Sequence, residues 1–190
     1  MGPYKVSILF SLSRSLPIYP SGPPSLVRAV ASVQQWVNFS CPTPNQDAIA
    51  ISMVKAREPY EHFMNYYDFL AASYTRKRDL LVDTLTIAGI NPIVPAGTFF
   101  ILGETSHLSD QIPEPYLKEV TKAMPSSNPI PRDWAMSRWL TKDVGVCTIP
   151  PSAFYSPDTL HLAATTLRFA FCKRDETILE ARERFSNFFG

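Results

Sequence analysis

The 190-residue chain has the composition of a globular protein, with 45% hydrophobic and 18% charged residues. Its formal net charge of +1 argues against a basic surface for nucleic acid or an anionic membrane, and no segment is long and apolar enough to predict a membrane span. The three cysteines, Cys41, Cys147 and Cys172, are odd in number and widely spaced. They argue against a disulfide framework or a zinc site and predict reduced thiols in a cytoplasmic protein.

The first half of the chain is predicted to consist of helices. A proline-rich turn ends before Ser25, where apolar residues begin to recur with helical spacing. Asn45 is a suitable N-cap for a second helix, and Pro59 separates it from a long third helix, predicted from Tyr60 to Ala88. Gly89 follows as a natural residue for the left-handed turn that ends a helix.

The second half of the chain mixes strand and helix patterns. Apolar stripes after Asp133 and Asp175 predict helices capped by these two residues, and a short helix is predicted near Tyr116 to Met124. Runs of β-branched and aromatic residues predict the strands Asn91–Val94, Thr98–Leu102, Val146–Ile149 and Thr165–Cys172. Together these elements predict an α+β sandwich in which helices cover one face of a small sheet.

Arg168 is the one residue that does not fit the last predicted strand. An arginine cannot lose its charge, so within an apolar strand it needs an anionic partner. The partner could be a carboxylate of the protein, which is the commoner arrangement. It could also be the carboxylate of a ligand, held by two parallel hydrogen bonds from the planar guanidinium. The strand alone leaves both interpretations open.

The residues by themselves predict no catalytic dyad and no metal site. His62, His107 and His161 are scattered, and none has a glutamate at helical spacing. Ser152 lacks the glycines that flank a hydrolase nucleophile. Lys5 would be reactive only if it were removed from solvent, and its position near the N-terminus predicts a solvated amine instead.

Four stretches, taken together and in order, carry a family resemblance. They are Asn38–Thr43 (NFSCPT), Pro95–Ile101 (PAGTFFI), Val144–Tyr155 (VGVCTIPPSAFY) and Leu167–Phe171 (LRFAF). From about Ile18 to Phe188 the chain resembles the C-terminal part of a class I/II, fold-type I, pyridoxal-phosphate-dependent aminotransferase. Within that superfamily it is most similar to the kynurenine–oxoglutarate transaminases, which also act as cysteine-S-conjugate β-lyases.

The resemblance implies roles for particular residues. Arg168 matches the family arginine that binds the α-carboxylate of the substrate, which favours the ligand interpretation of its charge. Phe39 matches an aromatic residue that lines the substrate pocket of the neighbouring subunit in the family homodimer; the alternative is a core aromatic at a helix end. Gly97–Phe99 and Ser152–Tyr155 match segments near the mouth of the pocket, where turn geometry and packing are the alternative explanation.

The N-terminal residues depart from the family pattern. Val6 stands where the family has its cofactor lysine, and Lys5 lies one place away. Arg14 falls at the position of a phosphate-contacting residue, but the glycines and tryptophans that surround that residue in the family are missing. Most of the large pyridoxal phosphate domain would precede Met1. The resemblance thus predicts a divergent segment (1–17), a remnant of the large domain (18–44) and the small C-terminal domain (45–190).

Two functions follow from the resemblance. The first is the family activity, the transfer of an amino group from an aromatic or sulfur-containing amino acid to a 2-oxo acid. The second is a non-catalytic fragment that is inert or modulates a full-length subunit by dimerisation. The protein supplies the lysine to which the cofactor attaches. Because that lysine is missing from its expected position, the chain as given is expected to be a truncated form that is inactive alone.

Overall fold

The computed structural model describes residues 23–37, 42–118 and 130–190. The chain divides into two compact units, Met1–Ala72 and Ser73–Gly190. Helix α1 spans Pro24–Val37 and helix α2 spans Thr43–Lys55. The long helix α3 spans Tyr66–Ile87.

Helix α1 confirms the helix predicted from Ser25, but its apolar side chains are exposed. Leu26 is 63% exposed and Trp36 is 82% exposed, and neither α1 nor α2 contains a buried residue. The predicted start of α2 is wrong, because Pro42 is the N-cap and Asn45 lies within the first turn. Pro44 explains the earlier start, since its fixed φ suits the first turn of a helix.

Helix α3 begins later than predicted. Tyr60 and Phe63 exchange two backbone hydrogen bonds (3.2 and 2.9 Å), which close a tight turn before the helix. Asn65 then caps the helix, because its Oδ1 accepts the backbone N–H of Asp68 (3.0 Å). At the other end Gly89 has a φ of 75°, as predicted for the turn after a helix.

Three antiparallel strands form the sheet, in the order β1–β2–β3. Strand β1 spans Asn91–Ile93, β2 spans Phe100–Glu104 and β3 spans Thr166–Ala170. The predicted strand Val146–Ile149 is wrong, because only Ile149 pairs with the sheet, through a single bridge to Arg168. The rest of that segment is tied to a helix: the N–H of Val146 donates to the carbonyl of Leu140 (3.0 Å).

The remaining elements surround the sheet in the second unit. Helix α4 spans Glu114–Lys118, α5 spans Arg132–Trp139 and α6 spans Asp175–Phe189. A π turn, Leu140–Val144, continues α5 and ends at Gly145, whose φ is 78°. The described part of this unit also contains the 3-10 turns Ser106–Gln111, Pro151–Phe154 and Pro157–Leu162.

The hydrophobic core lies in the second unit. Alternate residues of β2 and β3 face it, and α6 contributes Ile178 and Phe185. Leu179 and Phe188 of the same helix are 49% and 43% exposed. The largest fully buried apolar side chains are Leu85, Ile90, Ile101, Met136, Leu140, Leu167, Phe171 and Phe185. The backbone N–H of Phe171 donates to the carbonyl of Phe99 (3.0 Å), so these two segments belong to one sheet, as predicted.

Candidate carboxylate-binding site

Arg168 lies at the centre of β3, on the face of the sheet opposite the core. Leu167 and Phe169 are 0% and 3% exposed, whereas Arg168 between them is half-buried, because successive side chains of a strand point to opposite faces. Its position is fixed from both sides. It pairs with Leu102 in β2, and its backbone exchanges two hydrogen bonds with Ile149 (3.0 and 3.1 Å).

Two aromatic rings hold the guanidinium of Arg168. Its Cζ lies 4.2 Å from the ring centroid of Phe100 and 4.5 Å from that of Phe154. Both distances are within the range of cation–π attraction. Phe100 is on β2 and Phe154 ends the 3-10 turn Pro151–Phe154, so the arrangement joins the sheet to a loop.

The guanidinium has no protein carboxylate to bind within the described residues. Its Nε is buried and has no hydrogen-bond partner, and no ion pair of the described part of the chain includes it. Glu104 is the acidic residue of β2 on the same face, but its Oε1 accepts the backbone N–H of Ser106 (2.8 Å). The geometry therefore favours the second interpretation from the sequence, in which Arg168 binds the carboxylate of a ligand.

The segment that carries Phe154 is tied to helix α5 at two points. The hydroxyl of Ser137 donates to the carbonyl of Thr148 (3.0 Å). Further along, the backbone N–H of Ser152 donates to Oδ2 of Asp133 (2.8 Å). Asp133 is therefore not the N-cap predicted from the sequence, a position that Pro131 takes. Its carboxylate is turned toward the loop instead of toward the start of its own helix.

The structure brings together some of the residues that the family motifs singled out. The ring of Phe99 contacts that of Phe100 at a tilted angle (4.4 Å between centroids, 46° between planes). Phe100 and Phe154 both contact Arg168. Thr98, just before them, has a φ of 65°, which is uncommon for a β-branched residue. The sequence places Phe100 in the predicted strand next to Phe99, but it carries no signal that this ring contacts Arg168.

Other predicted residues lie elsewhere. Phe39 and Cys41 fall outside the described residues, as do Lys5, Val6 and Arg14. Cys147 and Cys172 are exposed free thiols. His62, His107 and His161 are all exposed. Within residues 23–37, 42–118 and 130–190 no three metal-ligating side chains come together, and none of the helices there could cross a bilayer.

Comparison with curated sequences gives matches over most of the chain. The family model described as Aminotransferase class I and II matches residues 10–185. Kynurenine--oxoglutarate transaminase of Dictyostelium discoideum is 40% identical over 165 residues, which are 85% of this chain and 35% of that protein. Human kynurenine--oxoglutarate transaminase 3 is 32% identical over 162 residues, 85% of this chain and 33% of that protein. The chain spans about a third of the length of these relatives.

Solved structures agree with the sequence matches. Bna3p of Saccharomyces cerevisiae, described as a putative kynurenine aminotransferase, superposes with a TM-score of 0.64 at 26% identity, over 86% of this chain and 36% of that chain. N-Succinyldiaminopimelate aminotransferase of Mycobacterium tuberculosis gives a TM-score of 0.57 at 27% identity, over 87% of this chain and 36% of that chain. These matches confirm the predicted fold class, an α+β portion of the fold-type I architecture.

Proposed function

The chain belongs to the class I and II aminotransferases, and on that basis we propose that it forms the substrate-carboxylate-binding part of a kynurenine-type transaminase. The donor would be an aromatic or sulfur-containing amino acid and the acceptor a 2-oxo acid. The names of the relatives, which specify kynurenine and oxoglutarate, support this substrate class. We also propose the homodimer of the family, in which Phe39 lines the pocket of the neighbouring subunit.

Arg168 carries the proposal. Its guanidinium contacts the rings of Phe100 and Phe154, while its buried Nε has no partner among the described residues. A planar guanidinium fixed by two rings is preorganised for a carboxylate, which accepts two parallel hydrogen bonds from it. Unpaired donors at such a site cost stability, and binding of the substrate carboxylate would satisfy them.

The family uses pyridoxal phosphate, but the described residues do not fit this cofactor. A family enzyme needs a lysine amine for attachment of the cofactor. Lys55, Lys118, Lys142 and Lys173 are exposed. Lys77 is half-buried, but its amine donates to the carbonyl of Lys173 (2.6 Å). We therefore assign carboxylate binding, and no step at the cofactor, to the described part of the chain.

The test is turnover by a completed enzyme. Residues 18–190 would be joined to the preceding part of the Dictyostelium relative, and kynurenine-dependent transamination of 2-oxoglutarate would be measured. We expect turnover by the chimera and none by the 190-residue chain. Arg168→Lys should lower kcat/KM for the amino acid by about one to two orders of magnitude, because an ammonium cannot reproduce the two-point contact.

Matched variants make the outcome decisive. Arg184→Lys changes an arginine of helix α6 that already binds Glu180, and it should leave kcat/KM nearly unchanged. Equal losses for both variants, or full activity with Arg168→Lys, would refute the role of Arg168. A chimera that folds and takes up pyridoxal phosphate but turns over neither kynurenine nor another aromatic or sulfur amino acid would refute the proposed substrate class.

A second candidate is the non-catalytic partner, and the exposed face of α1 supports it. Leu26, Val33 and Trp36 are 63%, 60% and 82% exposed, and apolar groups in this arrangement are common at protein interfaces. This candidate predicts a mixed complex with a complete transaminase subunit. Light scattering after mixing the chain with human kynurenine--oxoglutarate transaminase 3 would detect it.

A matched pair of surface variants tests this candidate. Trp36→Ser should weaken the mixed complex, whereas Leu179→Ser, which changes a 49% exposed residue of α6, should not. Absence of a mixed complex at micromolar concentrations, or equal weakening by both variants, would contradict the partner role and would leave the chimera experiment unaffected.

A further inference from the structure

Asp133 lies on helix α5, and its carboxylate is buried without capping that helix. It is 1% exposed, it does not cap its own helix, and its Oδ1 has no hydrogen-bond partner among the described residues. Within residues 23–37, 42–118 and 130–190 no arginine or lysine forms an ion pair with it. Burying such a group destabilises the fold unless it is hydrogen-bonded. The one hydrogen bond that Asp133 accepts should therefore contribute to the local structure.

That hydrogen bond reaches the turn that carries Phe154. Oδ2 of Asp133 accepts the N–H of Ser152 (2.8 Å), the second residue of the turn Pro151–Phe154. Inside the turn, the N–H of Tyr155 donates to the carbonyl of Ser152 (3.1 Å). In the described part of the chain, Asp133 provides the one side-chain hydrogen bond that reaches this turn from another element.

Phe154 depends on that turn for its position. Its side chain is 65% exposed, so burial in a core does not hold it in place. The ring nevertheless lies 4.5 Å from the Cζ of Arg168. The other tie to α5, between Ser137 and Thr148, fixes the chain before Ile149. Beyond it Pro151 and Ser152 are buried, and Asp133 adds the side-chain hydrogen bond from α5 that orients the turn.

We propose that Asp133 is a positioning residue, whose carboxylate anchors the Pro151–Phe154 turn and thereby keeps the Phe154 ring over the guanidinium of Arg168. Together with Phe100, the ring restricts the orientation of the guanidinium. In this way a residue without contact to the substrate sets the orientation of the group that binds its carboxylate. The consequence for catalysis rests on the proposed function; the effect on the geometry of Arg168 does not.

The geometric part is tested by NMR on the 190-residue chain. The Nε–Hε signal of Arg168, assigned with Arg168→Lys, reports the shielding of a proton beside aromatic rings. Phe154→Leu defines the change in this signal when the ring is absent. Asp133→Ala should reproduce most of that change, whereas Asp133→Asn, which keeps an acceptor oxygen, should reproduce little of it. Asp143→Ala, an exposed carboxylate that accepts the hydroxyl of Tyr116 (2.6 Å), is the matched control and should leave the signal unchanged.

The functional part is tested in the completed chimera. Asp133→Ala should raise KM for kynurenine roughly threefold to tenfold, the size expected for loss of one cation–π contact. It should change kcat much less, because the ground state and the transition state share the carboxylate contact. Asp133→Asn should restore KM. A fall in kcat with unchanged KM would overturn the catalytic consequence.

Folding of the variants does not limit the test. If Asp133→Ala fails to fold, Asp133→Ser replaces it, since serine is tolerated in the first turn of a helix and its side chain is too short to reach Ser152. An unshifted Arg168 signal in a folded Asp133 variant that lacks the acceptor would overturn the proposal, even if the chimera were active. A shifted signal in an inactive chimera would support the positioning role and would count against the proposed function alone.

Discussion

Two arginines of the second unit, Arg184 and Arg168, differ in whether the described residues provide partners for their guanidinium groups. Arg184, on helix α6, donates to the carbonyl of Gly145 (2.5 Å) and to Glu180 (2.6 Å), and it lines a cavity of about 270 Å³. Arg168, on β3, is held by two rings, and its buried Nε has no partner. Both guanidiniums are oriented, but the described residues satisfy only that of Arg184.

The charge of Arg184 thus has a structural role, whereas that of Arg168 suits the proposed binding role. Arg184 is paired within its own helix and ties α6 to the turn at Gly145, so it contributes to the fold. The cavity beside it is mostly lined by apolar side chains, and the structure gives it no unpartnered polar group aimed at a ligand. The Arg168 region has the reverse pattern, with unsatisfied polar atoms on Asp133, Ser152 and Arg168. Buried polar atoms without a partner need an explanation, and a bound ligand or water is one.

The Arg168 region should be the less tolerant of added volume. Gly103 of β2 lies opposite Leu167, and a methyl group on it would stand 2.6 Å from Cγ2 of Ile90 and 2.9 Å from a ring carbon of Phe169. Gly103→Ala should lower the free energy of unfolding by about 2–3 kcal/mol, because these buried neighbours cannot move aside. Urea unfolding measures the change. A loss below about 0.5 kcal/mol would mean that the sheet adapts and that its geometry does not fix Arg168.

The Arg184 region depends on a glycine for a different reason. Gly145 has a φ of 78°, and a Cβ on it would lie 2.5 Å from Nη1 of Arg184. Gly145→Ala should cost about 1–2 kcal/mol, mostly from the left-handed backbone, since the end of the arginine side chain can move. Thermal unfolding should show a lowered midpoint. The same loss should occur in an Arg184→Ala background; its disappearance there would mean that the clash, not the backbone, is responsible.

Most of the fold follows from local patterns in the sequence, and the errors have local causes. Gly89 ends helix α3 where the sequence predicted, because left-handed turns favour glycine. The start of α3 was missed because Tyr60 and Phe63 continue the apolar stripe, while the capping signal, Asn65 followed by Asp68, lies five residues later. The predicted strand at 146–149 failed because its β-branched pattern does not show that its partners are Leu140 and Ser137.

The candidate site could be predicted only in part. An arginine within an apolar strand is visible in the sequence, and the family motifs around Arg168 pointed to a carboxylate. The contact of Phe154 with Arg168 was not predictable, because the two residues lie 14 positions apart, with a 3-10 turn between them. The role of Asp133 was misassigned for a related reason: an aspartate two residues after a proline resembles a helix cap, and only the tertiary structure shows that it accepts the N–H of Ser152.

Removing the charge of Arg168 should not destabilise the fold. Arg168→Met keeps an apolar stem between the two rings and removes a buried donor whose lack of a partner costs about 1–3 kcal/mol. The loss of two cation–π contacts offsets part of this gain, at about 0.5–1 kcal/mol each. The free energy of unfolding should therefore stay unchanged or rise by up to about 1 kcal/mol. A clear fall in urea unfolding would show that the charge is structural.

Arg184→Met is the complementary change and should have the smallest effect, of opposite sign. The Arg184 side chain is 45% exposed and its ion pair with Glu180 has helical i, i+4 spacing. Such a pair contributes only about 0.3–0.5 kcal/mol in water, and the hydrogen bond to Gly145 adds little at an exposed position. A loss of about 0.5 kcal/mol is therefore expected, and it should shrink in 1 M salt because screening weakens the pair. If Arg184→Met stabilised the chain while Arg168→Met destabilised it, the two arginines would have exchanged roles, and Arg168 would no longer be the candidate for binding the substrate carboxylate.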